Sequence, residues 1–239
     1  MFEIFSPFKQ KRTLLQIGLC ALLFVGMAVP FKVMVLIEGF TEVRPVNAVP
    51  VVLGLLFGPI GAWGCAIGNL ISDFFGTLST ASMLGFFGNF IAAYLPYKLW
   101  HTWRRDENPN VKSGKNLALY ALISIISALT VAIFIACGLD VYLGLWMPDV
   151  FWIILFNNLA FPLVIGLPVF IILTSDDFKI EAYLPQSKGA ATKKISLWVL
   201  LASQIIILVM VKQNLIMSRS PAMALMGVLY LISLFTFLI

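Results

Sequence analysis

The chain has 239 residues, 61% of them hydrophobic and 11% charged, with a formal net charge of +5. A soluble globular domain carries about 25% charged residues, and several apolar runs here reach the roughly 18–20 residues that cross a bilayer. The composition therefore excludes a soluble enzyme or binding module. It indicates a polytopic helical protein whose basic excess marks cytoplasmic loops rather than an affinity for nucleic acid.

In chain order, residues 1–12 form a short polar start carrying Lys9, Lys11 and Arg12, and a first apolar span follows at 13–37. That run lacks a small-residue cleavage site followed by a polar mature chain, so no signal peptide is expected. The segment EGFTEVRPVN (38–47) is a loop with charges of both signs. Further spans fall at about 79–100, 117–138, 150–174, 195–213 and 221–239, joined by polar loops at 101–116, 139–149 and 175–194.

The block at 48–74 is either one span or two broken at Gly58-Pro59. Loop charge decides between them. With a turn at Gly58-Pro59, Lys9, Lys11, Arg12, Lys98, Arg104, Arg105, Lys112, Lys115, Lys179, Lys188, Lys193 and Lys194 share one side, twelve of the sixteen basic residues. Only Lys32, Arg44, Lys212 and Arg219 fall on the other. A single span would separate the N-terminal triplet from the two basic loops, against the positive-inside bias. Proline also lacks the helical N–H, which favours a break at Pro59. The expectation is an all-α membrane protein of eight spans with both termini cytoplasmic. Its parts are a segment at 1–12, a six-helix core at 13–174, a basic linker at 175–194 and a transmembrane hairpin at 195–239. The span at 48–57 is short and needs protein around it rather than lipid.

Within 59–76, Gly61, Gly64, Gly68 and Ser72 form one stripe at helical spacing. Small residues let helix backbones approach closely where lipid supplies no hydrophobic drive. The stripe suits either packing within the bundle or contact with another subunit, and Gly18, Ala21, Val25 and Ala28 make a similar stripe in the first span. Asp73 falls at the exit of the third span, as a solvated helix-end carboxylate or the rim of an outward-facing pocket. Asn89, Asn157 and Asn158 lie within spans, where amides need partners. Phe86, Phe87, Phe90, Trp152 and Phe156 flank them. A few polar groups among apolar walls make a small-molecule pocket, although interfacial aromatics also serve as belt residues. Cys20, Cys65 and Cys137 sit in apolar runs without metal or disulfide spacing, and His101 is the one histidine. No metal or other cofactor is expected.

The stretch RPVNAVPVVLGLLFGPIGAWGCAIGNLISDFFG (44–76) combines a proline-bearing entry, an L-x-F-G-P turn, a glycine-striped helix and a terminal aspartate. With LFNNLAFPLVIGLP (155–168), it resembles the substrate-binding S components of energy-coupling factor (ECF) transporters over residues 13–174. The resemblance implies a six-helix cell-membrane protein that binds a vitamin or related micronutrient from outside. It also implies partners: a transmembrane T subunit and two cytoplasmic ATPases. Substrate would sit at Glu38, Glu42, Arg44, Asn47, Asn89, Trp152, Asn157 and Asn158, with Asp73 on the rim. The T subunit would dock on the first three helices, at Gly18, Ala21, Val25, Ala28, Gly61, Gly64 and Gly68. The first-span stripe departs from the family's Ala-x-x-x-Ala, since Val25 stands four residues after Ala21. The hairpin at 195–239 is an addition to the family core.

Two other readings remain at this point. An integral-membrane enzyme would need clustered nucleophiles or metal-binding carboxylates, for which the loops offer Asp106 with Glu107 and Asp176 with Asp177. A stand-alone secondary carrier would show an internal repeat and buried ionisable groups at mid-membrane. The chain has no G-x-x-x-x-G-K-[ST] phosphate-binding loop, so ATP hydrolysis would belong to partners. Excess acid on the outer loops favours a neutral or cationic compound, while Arg44 could meet an anionic group.

Overall fold

The computed structural model describes residues 3–31, 35–37, 41–76, 78–178, 180, 182–185, 191–213 and 219–239. Among the described residues nine α-helices dominate: α1 (Lys11–Ala28), α2 (Ala48–Phe57), α3 (Pro59–Asp73), α4 (Ser82–Arg104), α5 (Gly114–Leu143), α6 (Pro148–Phe161), α7 (Leu167–Leu173), α8 (Ala191–Lys212) and α9 (Pro221–Leu238). Among the described residues five segments are long and apolar enough to cross a membrane: Lys11–Phe31, Gly114–Leu143, Pro148–Leu173, Lys193–Lys212 and Pro221–Leu238. The protein is a multi-pass helical membrane protein.

The first span is shorter than its apolar run. Pro30 falls in a 3-10 turn, Val29–Phe31, that ends α1, and the backbone beyond it pairs as two short antiparallel strands, β1 (Val35–Ile37) and β2 (Thr41–Glu42). Proline has no N–H to extend the helix. Apolar residues after it therefore enter a short β-ribbon.

The break at Gly58 is present. Gly58 has φ 53° and ψ −125°, outside the regions open to residues with a Cβ, and Pro59 opens α3 at its first position. There the missing N–H costs nothing and the fixed φ suits the helix. A Cβ at Gly58 would stand 3.0 Å from the Tyr183 ring and 3.1 Å from the Tyr97 ring. Gly58→Ala is expected to destabilise the protein by about 1–3 kcal/mol through backbone strain. Thermal unfolding in detergent measures this as a lowered midpoint. The ten residues of α2 are almost wholly buried and, at about 1.5 Å per residue, too short to span the hydrocarbon alone.

The packing order follows the glycines. α3 lies between α1 and α4, α2 lies on α4 and α3, α5 joins α4 to α6, and the α8–α9 hairpin packs on α5. A Cβ at Gly64 would fall 2.3 Å from Cys20 Cβ, and one at Gly68 would fall 2.7 Å from Phe24 Cβ and 2.9 Å from the Ala21 carbonyl oxygen. A Cβ at Gly61 would fall 2.3 Å from the Leu53 carbonyl oxygen. The α3 stripe is thus filled by α1 and α2 of the same chain.

Between α6 and α7 the helix widens into one π-turn, Pro162–Gly166, in which Leu167 N–H reaches the Pro162 carbonyl. Tyr120 Oη donates to that carbonyl at 2.9 Å. The hairpin is tied to α5 by polar contacts in an apolar setting: Gln204 Nε2 donates to Thr130 Oγ1 at 2.6 Å, and Tyr230 Oη donates to the Thr130 carbonyl at 2.7 Å.

At the opposite end from the β-ribbon, a 3-10 segment (Glu3–Lys9) folds back over the bundle. Trp63 Nε1 donates to the Ile4 carbonyl at 2.8 Å, and the Glu3 carboxylate accepts from Tyr97 Oη and from Lys98 Nζ at 3.2 Å. The Gly58 turn lies beside Tyr97 and Tyr183 at this same end.

Candidate functional site

A cleft lies at the end of the bundle where α3 finishes and α4 and α6 begin. Its wall includes Arg44, Asn47, Asn69, Asp73, Asn89, Asn157 and Asn158. Each helix contributes residues one turn apart: Asn69 and Asp73 on α3, Gly85 and Asn89 on α4, Val131 and Ile135 on α5, Val150 and Ile154 on α6. This is the i, i+4 spacing that puts side chains on one helix face.

Arg44 organises the polar wall. Pro45 starts a tight 3-10 turn, Pro45–Asn47, which directs Arg44 inward from the loop. The Arg44 backbone N–H donates to Asn157 Oδ1 at 3.4 Å, pinning the loop to α6. Arg44 Nη2 donates to Asn69 Oδ1 at 2.8 Å, and Asn69 Nδ2 donates to Asp73 Oδ2 at 3.4 Å. The Asn69 amide is thereby oriented, its oxygen toward the guanidinium and its nitrogen toward the carboxylate. Asn69 is fully buried, and a Cβ on Gly85 would stand 2.8 Å from its Nδ2. Glycine at 85 is what lets α4 lie against this pair.

Asn89 Nδ2 donates to the Gly85 carbonyl and Asn158 Nδ2 to the Ile154 carbonyl, both at 2.9 Å. Each amide nitrogen is thus committed to its own helix, and each amide oxygen is left to accept. The cleft combines a guanidinium, a carboxylate and amide acceptors over an aliphatic floor, a set that suits a flat polar compound with donors and acceptors on its edge.

Several sequence expectations change here. Asp73 is buried at 6% exposure and lines the cleft, so it is not a solvated helix-end carboxylate. Trp152 does not line the cleft; it packs edge-on against Phe151 with centroids 5.0 Å apart. The expected aromatic walls are absent from the lining, because Phe86 and Phe90 turn toward Trp63 while Phe87 and Phe156 are exposed on the bundle surface. Residues 152 and 156 lie off the helix face that carries 150, 154, 157 and 158. Glu38 lies outside the described residues, and so does the Glu42 side chain, although its backbone forms β2. Asn69 was missed by sequence reasoning. Its signal was available: it stands one helical turn before Asp73, on the same face.

The partner-docking stripe is also revised. Gly61, Gly64, Gly68, Ala21 and Ala28 are buried within the chain, and Val25 is half-buried. Gly18 is exposed, with no atom within 4 Å of a Cβ built there. In the loops, Asp176 pairs with Lys112, both exposed. Among the described residues no three His, Cys, Asp or Glu side chains gather as a metal-binding group.

Comparison with known proteins adds one decisive finding. The family model described as QueT transporter matches residues 14–175, from α1 to the end of α7. The chain belongs to the QueT transporter family. That family comprises ECF-type S components for queuosine-precursor uptake. Membership indicates a role in transport rather than catalysis, and the α8–α9 hairpin lies outside the matched residues. No curated protein and no solved structure gives a significant match.

Proposed function

We propose that this protein is the substrate-binding subunit of a queuosine-precursor transporter, taking the compound from outside into the cleft and passing it inward with a T subunit and two ATPases. The observation that carries the reading is the Asn157–Arg44–Asn69–Asp73 chain, which joins the outer loop, α6 and α3 around one cleft. A queuosine precursor is a purine-like base. Its guanine-type edge carries adjacent N–H donors, a match for the Asp73 carboxylate and the Asn89 and Asn158 oxygens. Its carbonyl is a match for the Arg44 guanidinium.

In this reading the chain crosses the cell membrane eight times with both termini cytoplasmic. Residues 13–174 form the binding core, 175–194 a cytoplasmic linker and 195–239 an appended hairpin. The Gly58 turn lies at the cytoplasmic end, and α2 is shielded by its neighbours. Mass spectrometry of small molecules released from the purified protein tests the substrate. A queuosine precursor supports the reading, and reproducible recovery of an unrelated compound overturns it.

The T subunit takes the outward face of α1, where Gly18 and Gly26 are flanked by Leu15, Leu19 and Leu22, exposed by 66%, 57% and 68%. Replacing Gly18 with Trp leaves room within the chain but fills the partner's approach. Uptake is expected to fall by an order of magnitude, as overpacking an interface by about 1–3 kcal/mol implies. Substrate binding by the isolated chain should stay unchanged. Equal loss of binding and uptake would remove α1 from the docking role.

A further inference from the structure

We propose that a second site, at the end of the bundle remote from the cleft, binds the phosphate headgroup of an anionic phospholipid. An open cavity there lies between the last turn of α4 and the first turns of α8. Four cations line it, Lys98, Arg105, Lys193 and Lys194, against one carboxylate, Asp106. His101 also faces it. Burial lowers the pKa of this imidazole, which favours its neutral form and keeps it from adding to the positive charge.

The charges are poorly compensated within the protein. Lys98 pairs with the Glu3 carboxylate, and Lys193 Nζ donates to the Ile239 carbonyl at 3.3 Å. Among the described residues Arg105 and Lys194 meet no carboxylate within ion-pair distance. Lys193 lies near both the Lys98 ammonium, which repels it, and the Glu3 carboxylate, which attracts it. Like charges gathered around one open cavity are stabilised by an anion between them, and a phosphate with several acceptor oxygens fits.

The shape favours a lipid over a free phosphate. One side of the cavity is the cationic cluster, and the other is Leu197, Trp198 and Leu201, the first apolar turns of a membrane-length helix. Trp198 is 71% exposed, as suits an indole at the headgroup level. A headgroup on the cations would thus lay its acyl chains along α8. Basic pockets between transmembrane helices bind anionic headgroups by this arrangement. The inference is independent of what the cleft binds.

The test is native mass spectrometry of the full chain in detergent with phosphatidylglycerol or phosphatidylcholine added. Wild type should retain phosphatidylglycerol in preference to phosphatidylcholine. Removing one positive charge should weaken retention about fivefold, as expected for one lysine or arginine near a charged headgroup. The double change Lys193→Ala with Lys194→Ala should lose about 25-fold on the same scale. Arg105→Gly is a second, separate probe, since glycine accepts the φ of 53° and ψ of −114° at that position without strain. Equal retention of the two lipids by wild type would overturn the site, as would unchanged phosphatidylglycerol retention in both variants. Displacement of the lipid by millimolar inorganic phosphate would overturn the lipid assignment in favour of a soluble phosphate.

Discussion

Arg44→Ala is expected to weaken binding of a queuosine precursor by about ten- to a hundredfold, the loss of a hydrogen bond from a charged group, about 1.5–3 kcal/mol. Arg44 holds two positions at once. Its backbone N–H ties the outer loop to Asn157, and its guanidinium orients the Asn69 amide toward Asp73. Alanine keeps the first contact and removes the second. The loop should therefore stay in place while the polar wall loses its positive charge and the fixed orientation of Asn69. Calorimetric titration of the purified variant measures the effect. Arg44→Lys should fall between wild type and alanine, because an ammonium retains the charge but lacks the planar fork of donors. Unchanged affinity in Arg44→Ala would place the substrate elsewhere.

Gly54→Ala is expected to be among the most damaging single-methyl additions in the bundle. A Cβ at Gly54 would lie 1.8 Å from the Ala93 carbonyl oxygen and 2.6 Å from its carbon. These are backbone atoms of α4, so no rotamer change relieves the clash and the two helices must separate. α2 is buried on nearly all sides, so separation opens gaps against α3 and α4 as well. Overpacking a dense core costs about 1–3 kcal/mol, with the upper end expected where backbone must move. Gly18→Ala is the control. It has no neighbour within 4 Å of the new methyl and gains helix propensity worth up to about 1 kcal/mol. A large fall in the unfolding midpoint for Gly54→Ala with little or no fall for Gly18→Ala is the expected pair. Equal effects would contradict the close crossing of α2 and α4.

Much of the fold is legible in the sequence because membrane helices announce themselves by length and apolarity. The break at Gly58-Pro59 is legible for a second reason: proline and glycine leave few backbone conformations, and loop charge distinguishes the remaining ones. Asp73, Asn89, Asn157 and Asn158 were singled out as polar residues in or beside apolar runs, Arg44 and Asn47 through the resemblance to ECF S components, and all six line one cleft. Helical phase was the weaker point. Trp152 is near Asn157 in sequence but lies off its helix face, so the expected aromatic wall became an aliphatic one. The glycine stripe of α3 showed a face built for close approach without saying which helix takes it. α1 takes it in the structure, through Cys20, Ala21 and Phe24. The β-ribbon was hidden because Val35 and its neighbours are as apolar as the span before them. Only Pro30 marks the change.

The central claim is that the chain itself holds the substrate through the Arg44–Asn69–Asp73 wall. Its most direct measurement is equilibrium titration of the purified, folded wild-type chain with a queuosine precursor base, without T subunit or ATPases. Saturable binding at one site per chain is the expected result. Absence of saturation up to about 1 mM, an affinity no better than about −4 kcal/mol, would contradict it.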